Sequence, residues 1–589
     1  MSDVQPEKVF GFRVQTTPMR YGQLLSGHKL DLSLGFAFLI IANVIALVVP
    51  RLVNTGVKLV ELASAQQMTL MGHDFEVSIG PLVSTLFILA IAGALFRTWS
   101  RQFIFKIGRN IEKDLRSHLF YHLSLLSLSF YRRHSVGDLM SHLTSDINNV
   151  RMVMGFAVLN ILNIVILFSA TTPILISIDW RIACAVLSPF VLVVVTARLL
   201  TAQLFERTKT YQASLSQLTQ HIQENLSGAQ VIRVFGQEPL EIRKFEKTNE
   251  HVFKSAIRLS RIRVVIFPLM RMMGGIGVAI TLWVGGMEVA SGRMTVGDFV
   301  EVTARLLQLT WPAISIGYSI SIYNQGKASL DRINTLLKES SDVIDGPYKA
   351  EAIHEIEMKD RISFKLKAGE FLGVVGPSGS GKTSFARALL RRTSTPRGTI
   401  FFNGIDLVDF NLESLYHHAT VVSSEPFLFS TTLRENLLFA KPNTSDEELL
   451  KVIEHVGFAP DLLALPDGLD TLVGERGVML SGGQRQRVAL ARALIAKPSV
   501  LILDDCLSAL DAETELHVVK QIKNQFKHGF LIMISHRLSV LKGADEIIVL
   551  DRGEVVERGQ HAKLIKTGAL YRALWGVEQL TQSLIESQV

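Results

Sequence analysis

The sequence predicts an α-helical membrane domain of six transmembrane helices fused to an α/β domain with a largely parallel sheet. Three observations predict this fold class. Six apolar blocks of about 20 residues, the length that crosses a bilayer, lie in the first half of the chain. From about residue 346, short apolar strands alternate with helical segments. An apolar strand, 371–375, runs into a glycine-rich loop that is followed by a helical segment, 384–392.

The composition fits this two-part organisation and limits the classes of function. Of 589 residues, 48% are hydrophobic and 20% are charged, which is typical of apolar blocks joined to a soluble part. The net charge of +7 is too small to predict a nucleic-acid partner. The two cysteines, Cys184 and Cys506, cannot build a disulfide framework or a zinc ligand set.

The six apolar blocks are predicted to be membrane-spanning helices. They lie at about 31–53, 79–100, 153–178, 181–203, 264–287 and 299–322. Basic residues concentrate in two long connectors, 103–150 and 204–262, whereas the other three connectors are short. Because basic residues stay on the cytoplasmic side, we expect both termini and both long connectors to face the cytoplasm.

The two long connectors have helical periodicity and few breakers, so we expect them to extend the spans into the cytoplasm. Each extension must turn back, and a short helix at the turn could contact a cytoplasmic domain. The residues that mark these turns are Gly137 and Asp138, within 130–139, and Glu224 and Gly228, within 223–238. Composition alone is equally compatible with plain polar turns.

Two arginines, Arg271 and Arg305, fall inside predicted spans. A charge at membrane depth is costly and usually faces a cavity. At a rise of about 1.5 Å per residue, Arg305 lies roughly 12 Å and Arg271 roughly 24 Å from the outer end of its span. One interpretation is a cavity for polar or anionic substrate. The other is internal pairing, for instance with Glu301, and the sequence leaves both open.

The glycine-rich loop Gly376-Pro377-Ser378-Gly379-Ser380-Gly381-Lys382-Thr383 fits G-x-x-x-x-G-K-[ST], the phosphate-binding P-loop. Its backbone N–H groups and the following helix N-terminus favour phosphate. Lys382 is expected to reach the β- and γ-phosphates, and Thr383 to hold Mg²⁺. A buried strand, 500–504, ends in Asp504, which is expected to lie beside the P-loop and hold Mg²⁺ through water.

A second anion cradle is predicted at Ser481-Gly482-Gly483-Gln484, where a Ser-Gly-Gly turn opens a helix. The alternative is an ordinary helix cap, which would need neither two glycines nor a glutamine. One nucleotide cannot occupy both cradles in a single compact domain. The sequence therefore predicts that a partner chain takes part.

Together these segments resemble the ATP-binding cassette transporters, and the order of the two parts resembles a bacterial half-exporter of the multidrug/lipid type. The segments that carry the resemblance are 376–383, 480–484, 500–505 and 534–537, and the six spans with their two turns extend it over nearly the whole chain. It implies that two chains dimerise around two ATP molecules. Each ATP would touch one chain's P-loop and the other chain's Ser-Gly-Gly turn.

The resemblance also implies residue roles and domain limits. Ser481 and Gly483 would contact the γ-phosphate in the partner's site, residues 508–511 would cross the dimer seam, and His536 would sense the γ-phosphate. The turns near 130–139 and 224–236 would be coupling helices that rest on the cassettes. The implied domains are a cytoplasmic segment 1–29, a transmembrane domain 30–325, a linker 326–345, an ATP-binding cassette 346–581 and a tail 582–589, in the bacterial cytoplasmic membrane.

Three positions depart from the family pattern. Asp505 stands where the family has the glutamate that orients or deprotonates the attacking water. Ser424 stands where the family has a glutamine that contacts Mg²⁺ and water. The adenine-stacking tyrosine is not clearly present, and Tyr348 is a weak substitute.

All three departures fall on elements that serve this chain's own site, whereas Ser481 to Gln484 is intact. This asymmetry resembles the weakly hydrolysing half of a heterodimeric exporter of a small molecule, drug or lipid. Two alternatives stay open. One is a homodimer in which Asp505 still works, and the other is a regulatory nucleotide-binding subunit that gates a partner.

Overall fold

The computed structural model describes residues 8–9, 12–13, 19–62, 66–70, 73–77, 79–474, 477 and 479–586. These residues form two compact units. The helical unit comprises the described residues within 17–120 and 137–338, and the α/β unit comprises those within 1–16, 121–136 and 339–589. The short segment 121–136 therefore groups with a domain that begins more than 200 residues later in the chain.

The first part of the chain is mostly long helices. Its elements are β1 (Lys8–Val9), β2 (Phe12–Arg13), α1 (Tyr21–Ser26), α2 (Lys29–Leu62), β3 (Gln66–Leu70), β4 (His73–Val77), α3 (Ile79–Ser124), α4 (Leu128–Arg133), α5 (Val136–Ser141), α6 (Ile147–Met152), α7 (Val158–Ile178), α8 (Trp180–Ser227), α9 (Ala229–Val234), α10 (Glu238–Ala290) and α11 (Val296–Leu337). Two π-turns, His142–Asp146 and Val153–Ala157, join α5, α6 and α7 into one continuous helix.

Each of the six predicted spans lies within a long helix, namely α2, α3, the continuous helix 136–178, α8, α10 and α11. Among the described residues, Lys29–Val60, Ile79–Ser124 and Val136–Ile178 are long and apolar enough to cross a membrane. α8 and α10 carry the shorter apolar stretches Trp180–Val191 and Gly274–Ala290.

The helices α8 and α10 are much longer than a membrane is thick. With 48 and 53 residues, they are about 70 to 80 Å long. A bilayer core needs only about 30 Å of helix. The prediction that the long connectors continue the spans as helices is therefore confirmed. The connector between α2 and α3, in contrast, contains an antiparallel hairpin of β3 and β4 that was not predicted.

The α/β unit alternates strands and helices as predicted. After α11 its elements are β5 (Glu355–Met358), β6 (Phe364–Lys367), β7 (Phe371–Val375), α12 (Lys382–Leu389), β8 (Ile400–Phe402), β9 (Ile405–Asp406), α13 (Leu412–His418), β10 (Ala419–Ser423), α14 (Leu433–Leu438), α15 (Asp446–His455), α16 (Ala459–Ala464), α17 (Gly482–Ile495), β11 (Val500–Asp504), α18 (Ala512–Gln525), β12 (Phe530–Ile534), β13 (Glu546–Asp551), β14 (Glu554–Gly559), α19 (His561–Thr567) and α20 (Ala569–Glu586).

One sheet of this unit positions the candidate site. Its strand order is β10-β11-β12-β7-β13-β14, and every neighbouring pair is parallel except β13 with β14. β7, β11 and β12 are fully buried because both faces of the sheet are covered, which explains their continuous apolar sequences. In a parallel sheet the carboxyl ends of the strands share one edge, so the loops after β10, β11, β12 and β7 meet there.

Candidate nucleotide-binding site

The P-loop follows β7 directly and opens α12. Gly381, the residue before this helix, has a φ of 102°, which side-chain-bearing residues rarely adopt. At Gly376 a β-carbon would lie 2.1 Å from the carbonyl oxygen of Leu550 in β13. Pro377 is half-buried, Ser378 and Gly379 are exposed, and Ser380 is buried. The loop is thus packed against the sheet at its start and open to a ligand at its tip.

Lys382 lies at the base of this loop. Its Nζ donates hydrogen bonds to the carbonyl oxygens of Gly376 at 2.7 Å and Pro377 at 2.9 Å. The side chain is buried, and burial lowers the pKa of the ammonium group. A phosphate above the loop would place a negative charge directly against this buried ammonium.

Thr383 and Asp504 converge as predicted. Oγ1 of Thr383, in the first turn of α12, lies 3.4 Å from Oδ1 of Asp504, the last residue of β11. Asp504 is 7% exposed, and burial, together with the charge of Asp505, raises the pKa of its carboxyl group. A hydroxyl oxygen and a carboxylate oxygen suit Mg²⁺, which prefers oxygen ligands and keeps several waters. The residues present therefore fit a magnesium ion bound with the phosphates.

Asp505 occupies a tight turn after β11. Its φ is 50°, a left-handed conformation that aspartate tolerates better than most residues, and its backbone N–H donates to the carbonyl oxygen of Ile534 at 2.9 Å. The N–H of His536 lies 3.5 Å from Asp505 Oδ1. The structure thus brings together the two predicted catalytic residues, and the His536 side chain is exposed at the same edge of the sheet.

Ser424 follows β10 and is exposed. Its carbonyl oxygen accepts a hydrogen bond of 2.9 Å from Nε2 of Gln486 in α17, and Gln486 Oε1 accepts the N–H of Ala509 at 3.1 Å. Gln486 is 5% exposed. The sequence analysis missed this residue, although an amide among the apolar positions of α17 was a visible signal that a buried polar contact was needed.

The second cradle has the geometry of a helix cap. Ser481 is the N-cap of α17: its Oγ accepts the N–H of Gln484 at 3.2 Å, and its own N–H donates to Gln484 Oε1 at 2.7 Å. Ser481 and Gly482 are exposed, and a β-carbon on Gly483 would lie 3.1 Å from the carbonyl oxygen of Ala509. This reciprocal pairing leaves an open helix N-terminus of the kind that binds anions.

Tyr348 packs edge-on against Phe410, with ring centroids 4.9 Å apart. Its backbone N–H donates to the carbonyl oxygen of Asp409 at 2.9 Å. Phe364, the other aromatic residue of this region, is buried in the core beneath the antiparallel sheet. The stacking of Tyr348 on adenine therefore stays a prediction.

The first predicted coupling turn overlaps a short helix, and the coupling role of Gly137 and Asp138 stays a prediction. The short helix is α4, and it groups with the α/β unit. Asp342 accepts hydrogen bonds from the hydroxyls of Ser127 and Ser129, the latter at 2.7 Å. Leu125 packs in a buried cluster with Val343 and Leu412.

Gly137 and Asp138 lie instead in α5 of the helical unit, where Asp138 Oδ2 is 3.6 Å from Nε2 of His142. The sequence signal pointed to the glycine because glycine marks turns. The contacts of α4 within its own unit are made by the hydroxyls of Ser127 and Ser129 and by Leu125.

The second predicted turn is confirmed as a short helix, α9. Gly228 joins α8 to α9, and its N–H donates to the carbonyl oxygen of Glu224 at 2.8 Å. Val231, Val234 and Phe235 are 60%, 74% and 71% exposed. This end of the α8–α10 pair therefore presents apolar side chains to its surroundings.

Of the two interpretations of Arg305, the contacts favour internal pairing, and the substrate cavity stays a prediction. Arg305 is 1% exposed, and its Nε donates to Glu301 Oε1 at 2.9 Å. The other oxygen of Glu301 accepts Nδ2 of Asn54 at 2.7 Å. Internal pairing with Glu301 was the open alternative, and a buried charge favours it because pairing offsets desolvation. Arg271 lies in α10, and its side chain is outside the described residues.

Fold and site together define a class of protein: a membrane-embedded helical domain joined to a P-loop domain that binds and hydrolyses a nucleoside triphosphate. The family described as "ABC transporter transmembrane region" matches residues 32–313, and the family described as "ABC transporter" matches residues 359–508.

Relatives of similar length agree with both matches. The probable multidrug resistance ABC transporter ATP-binding/permease protein YheI of Bacillus subtilis is 31% identical, covering 95% of this chain and 97% of that protein. The multidrug resistance-like ATP-binding protein MdlA of Escherichia coli is 32% identical, covering 85% and 88%. An ATP-dependent lipid A-core flippase of Desulfotalea psychrophila is 30% identical, covering 86% and 90%.

A solved structure, described as a bacterial Atm1-family ABC exporter with ATP bound, is 25% identical with a TM-score of 0.77, covering 94% of this chain and 99% of that one. The chain belongs to the ABC transporter family and carries the transmembrane region and the ATP-hydrolysing cassette on one polypeptide. It couples ATP hydrolysis to transport.

Proposed function

We propose that this chain is one half of a heterodimeric exporter that moves a small molecule, drug or lipid out across the bacterial cytoplasmic membrane, with a weakly hydrolysing ATP site of its own. Both termini and both cassettes of the dimer face the cytoplasm in this proposal. Multidrug and lipid A-core names among the relatives favour such cargo. The observation that carries the proposal is the short acid Asp505 at the edge of the sheet, beside His536.

Asp505 lacks one methylene relative to the glutamate of the family. Its backbone is held in place, because its N–H is bonded to Ile534 and its carbonyl oxygen accepts the hydroxyl of Ser508 at 3.0 Å. The missing methylene leaves the carboxylate short by about 1.5 Å, and a misplacement of about 1 Å can lower a rate on the order of 10²-fold. The turn cannot slide forward to compensate, so water is poorly oriented for attack.

The loop after β10 weakens the same site. Ser424 has a short side chain, and its carbonyl oxygen is already tied to Gln486. A serine at this position cannot reach as far as the glutamine of the family pattern to a water or to Mg²⁺. ATP binding is much less affected, because Lys382, Thr383 and Asp504 are all in place for the phosphates and the cation.

The Ser-Gly-Gly turn, which would serve a partner's ATP site, keeps the family pattern. Ser481 and Gly482 are exposed at the N-terminus of α17, with the cap that holds the helix open to an anion. The apolar side chains of α9 are exposed as well, and a second chain would cover them. An intact donor surface beside a weakened pocket is the pattern expected of the slow half of a heterodimer.

Two alternative functions differ from this proposal, one in the partner chain and the other in the role of the chain. In a homodimer Asp505 would serve both sites at a reduced rate. A regulatory subunit would bind ATP and gate a partner without a transport cycle of its own. The fusion of spans and cassette with an intact second cradle favours the exporter.

The test begins with the full-length chain, purified alone in lipid and assayed for ATP turnover. Slow turnover with tight ATP binding is expected. Brisk turnover that is lost in Asp505→Ala or Asp505→Asn would reject the weak-site proposal. Co-purification of the tagged chain from its native membrane should bring a second half-transporter with it. ATP-dependent uptake into inside-out vesicles, with and without that chain, then separates an exporter from a regulatory subunit.

A further inference from the structure

The segment that carries His536 is held from a distant part of the chain. A short 3-10 turn, Leu538–Leu541, begins two residues after His536, and its N-cap residue, Arg537, makes no side-chain cap. The first N–H groups of such a turn need acceptors. Here Oε2 of Glu578 accepts the N–H of Leu538 at 2.6 Å, and Oε1 accepts the N–H of Ser539 at 3.2 Å. Glu578 lies in α20, 40 residues further along the chain.

The helix α20 is a firm support for this carboxylate. Tyr571 is fully buried, and its hydroxyl lies 2.7 Å from Nδ1 of His561. The ammonium of Lys542, just after the 3-10 turn, sits 4.7 Å from the ring centroid of Trp575. At the start of α20, Glu557 accepts the N–H groups of Leu570 at 2.7 Å and Tyr571 at 3.0 Å.

On its other side the same segment is tied to the loop after β11. Arg537 Nη1 donates to the carbonyl oxygen of Leu510 at 2.9 Å and to Glu515 Oε2 at 2.5 Å. Glu515 is 2% exposed. The backbone of His536 is therefore clamped between α20 and the 508–510 loop, and its N–H reaches Asp505 from that position.

We propose that Glu578 is a positioning residue for ATP hydrolysis: by capping Leu538 and Ser539, it holds His536 at the edge of the sheet where the γ-phosphate arrives. This inference rests on the proposed ATP hydrolysis by this chain and on the γ-phosphate-sensing role that the family resemblance implies for His536. Glu578 itself touches neither nucleotide nor Asp505 in this scheme. It acts through the backbone, so its loss should change the rate of turnover more than the binding of ATP.

The test compares full-length variants in lipid nanodiscs, with turnover followed by release of radiolabelled phosphate. Glu578→Ala is expected to lower kcat about tenfold, the size of a lost hydrogen bond to a charged group, with KM for ATP changed less than about twofold. Glu578→Gln keeps an acceptor for one N–H and should recover part of the rate. The matched control is Asp406→Ala, which also removes a carboxylate that accepts two N–H groups, those of Gly398 at 2.6 Å and Val408 at 3.0 Å, but in the antiparallel sheet rather than at α20.

A double-mutant cycle with His536→Ala separates positioning from general stability. If Glu578 acts through His536, then Glu578→Ala adds no further loss of kcat in the His536→Ala background. Additive losses, or equal losses from Asp406→Ala and Glu578→Ala, would overturn the inference. If His536→Ala lowers kcat and Glu578→Ala does not, only the inference is wrong. If neither variant lowers kcat, the proposed role of His536 is wrong together with it.

Discussion

The backbone N–H of His536 lies 3.5 Å from Oδ1 of Asp505, at the long end of the hydrogen-bond range. The two residues follow neighbouring parallel strands, β11 and β12, in which Asp504 pairs with Ile534. The register of the sheet therefore sets where the acid and the histidine meet. Because both are attached to buried strands, a change in side-chain length at position 505 cannot be absorbed by the backbone.

Lengthening the acid should speed hydrolysis. Asp505→Glu restores the missing methylene, and we expect turnover of the purified chain to rise on the order of 10- to 100-fold, since a shift of about 1 Å can be worth 10²-fold. Steady-state phosphate release in lipid nanodiscs measures this change. Asp505→Asn, which has the same length without the charge, is the control and should not rise. If turnover does not rise in Asp505→Glu, the short side chain at position 505 is not what limits hydrolysis.

A bulky residue at the second cradle should disturb a partner's site rather than this chain's own ATP binding. Ser481→Arg places a large side chain at the exposed N-terminus of α17, and turnover of the dimer should fall while ATP still binds at the P-loop. Ser445→Arg is the matched control, because Ser445 caps α15 through the N–H of Glu448 in the same way. Each variant loses a cap of about 1 kcal/mol. Equal effects of the two on turnover would contradict the second cradle.

Asp342 should hold α4 against the α/β unit through Ser127 and Ser129. Burial opposes ionisation, but the hydrogen bonds from both serines prevail and lower the pKa of this carboxyl group. A lowered folded-state pKa contributes stability above the unfolded value of about 3.9, and this contribution is lost as pH falls through the folded-state value. At neutral pH the contact should be intact.

Hydrogen exchange followed by mass spectrometry checks this contact at pH 7. Asp342→Ala should increase exchange over residues 127–133, because the two hydroxyls lose their shared acceptor. The control is Glu339→Gln, since Glu339 lies 4.0 Å from Arg133 in an exposed pair of little energetic weight. Unchanged exchange in Asp342→Ala would show that the buried cluster of Leu125, Val343 and Leu412 holds α4 without the two serine contacts.

The buried pair of Arg305 and Glu301 should matter for stability. Glu301→Ala leaves the guanidinium buried without its partner, which costs about 3–5 kcal/mol in such sites. The thermal unfolding midpoint in detergent should fall accordingly. Lys254→Ala, which breaks an exposed pair with Glu250, is the control and should leave the midpoint nearly unchanged. A midpoint unaffected by Glu301→Ala would show that the pair does not stabilise the fold.

Much of the site was predictable from the sequence because its signals are local. The P-loop is a continuous stretch whose glycines and lysine must stand at fixed spacing. Asp504 ends an apolar strand, and parallel strands bring their carboxyl ends to one edge, so its approach to Thr383 followed from pattern alone. The six spans were predictable because a bilayer imposes a length on each apolar block.

The class of protein, the order of its two parts and the residues that hold phosphate follow from the sequence, because each depends on neighbours along the chain. Only the tertiary contacts show that Arg305 pairs inside the helices, that Asp342 holds α4 through Ser127 and Ser129, and that Gln486 and Glu578 brace the loops of the site. Except for the pair of Arg305 and Glu301, which lie one helical turn apart, these contacts join residues that are distant in sequence. Their partners are chosen by packing, which no local pattern records.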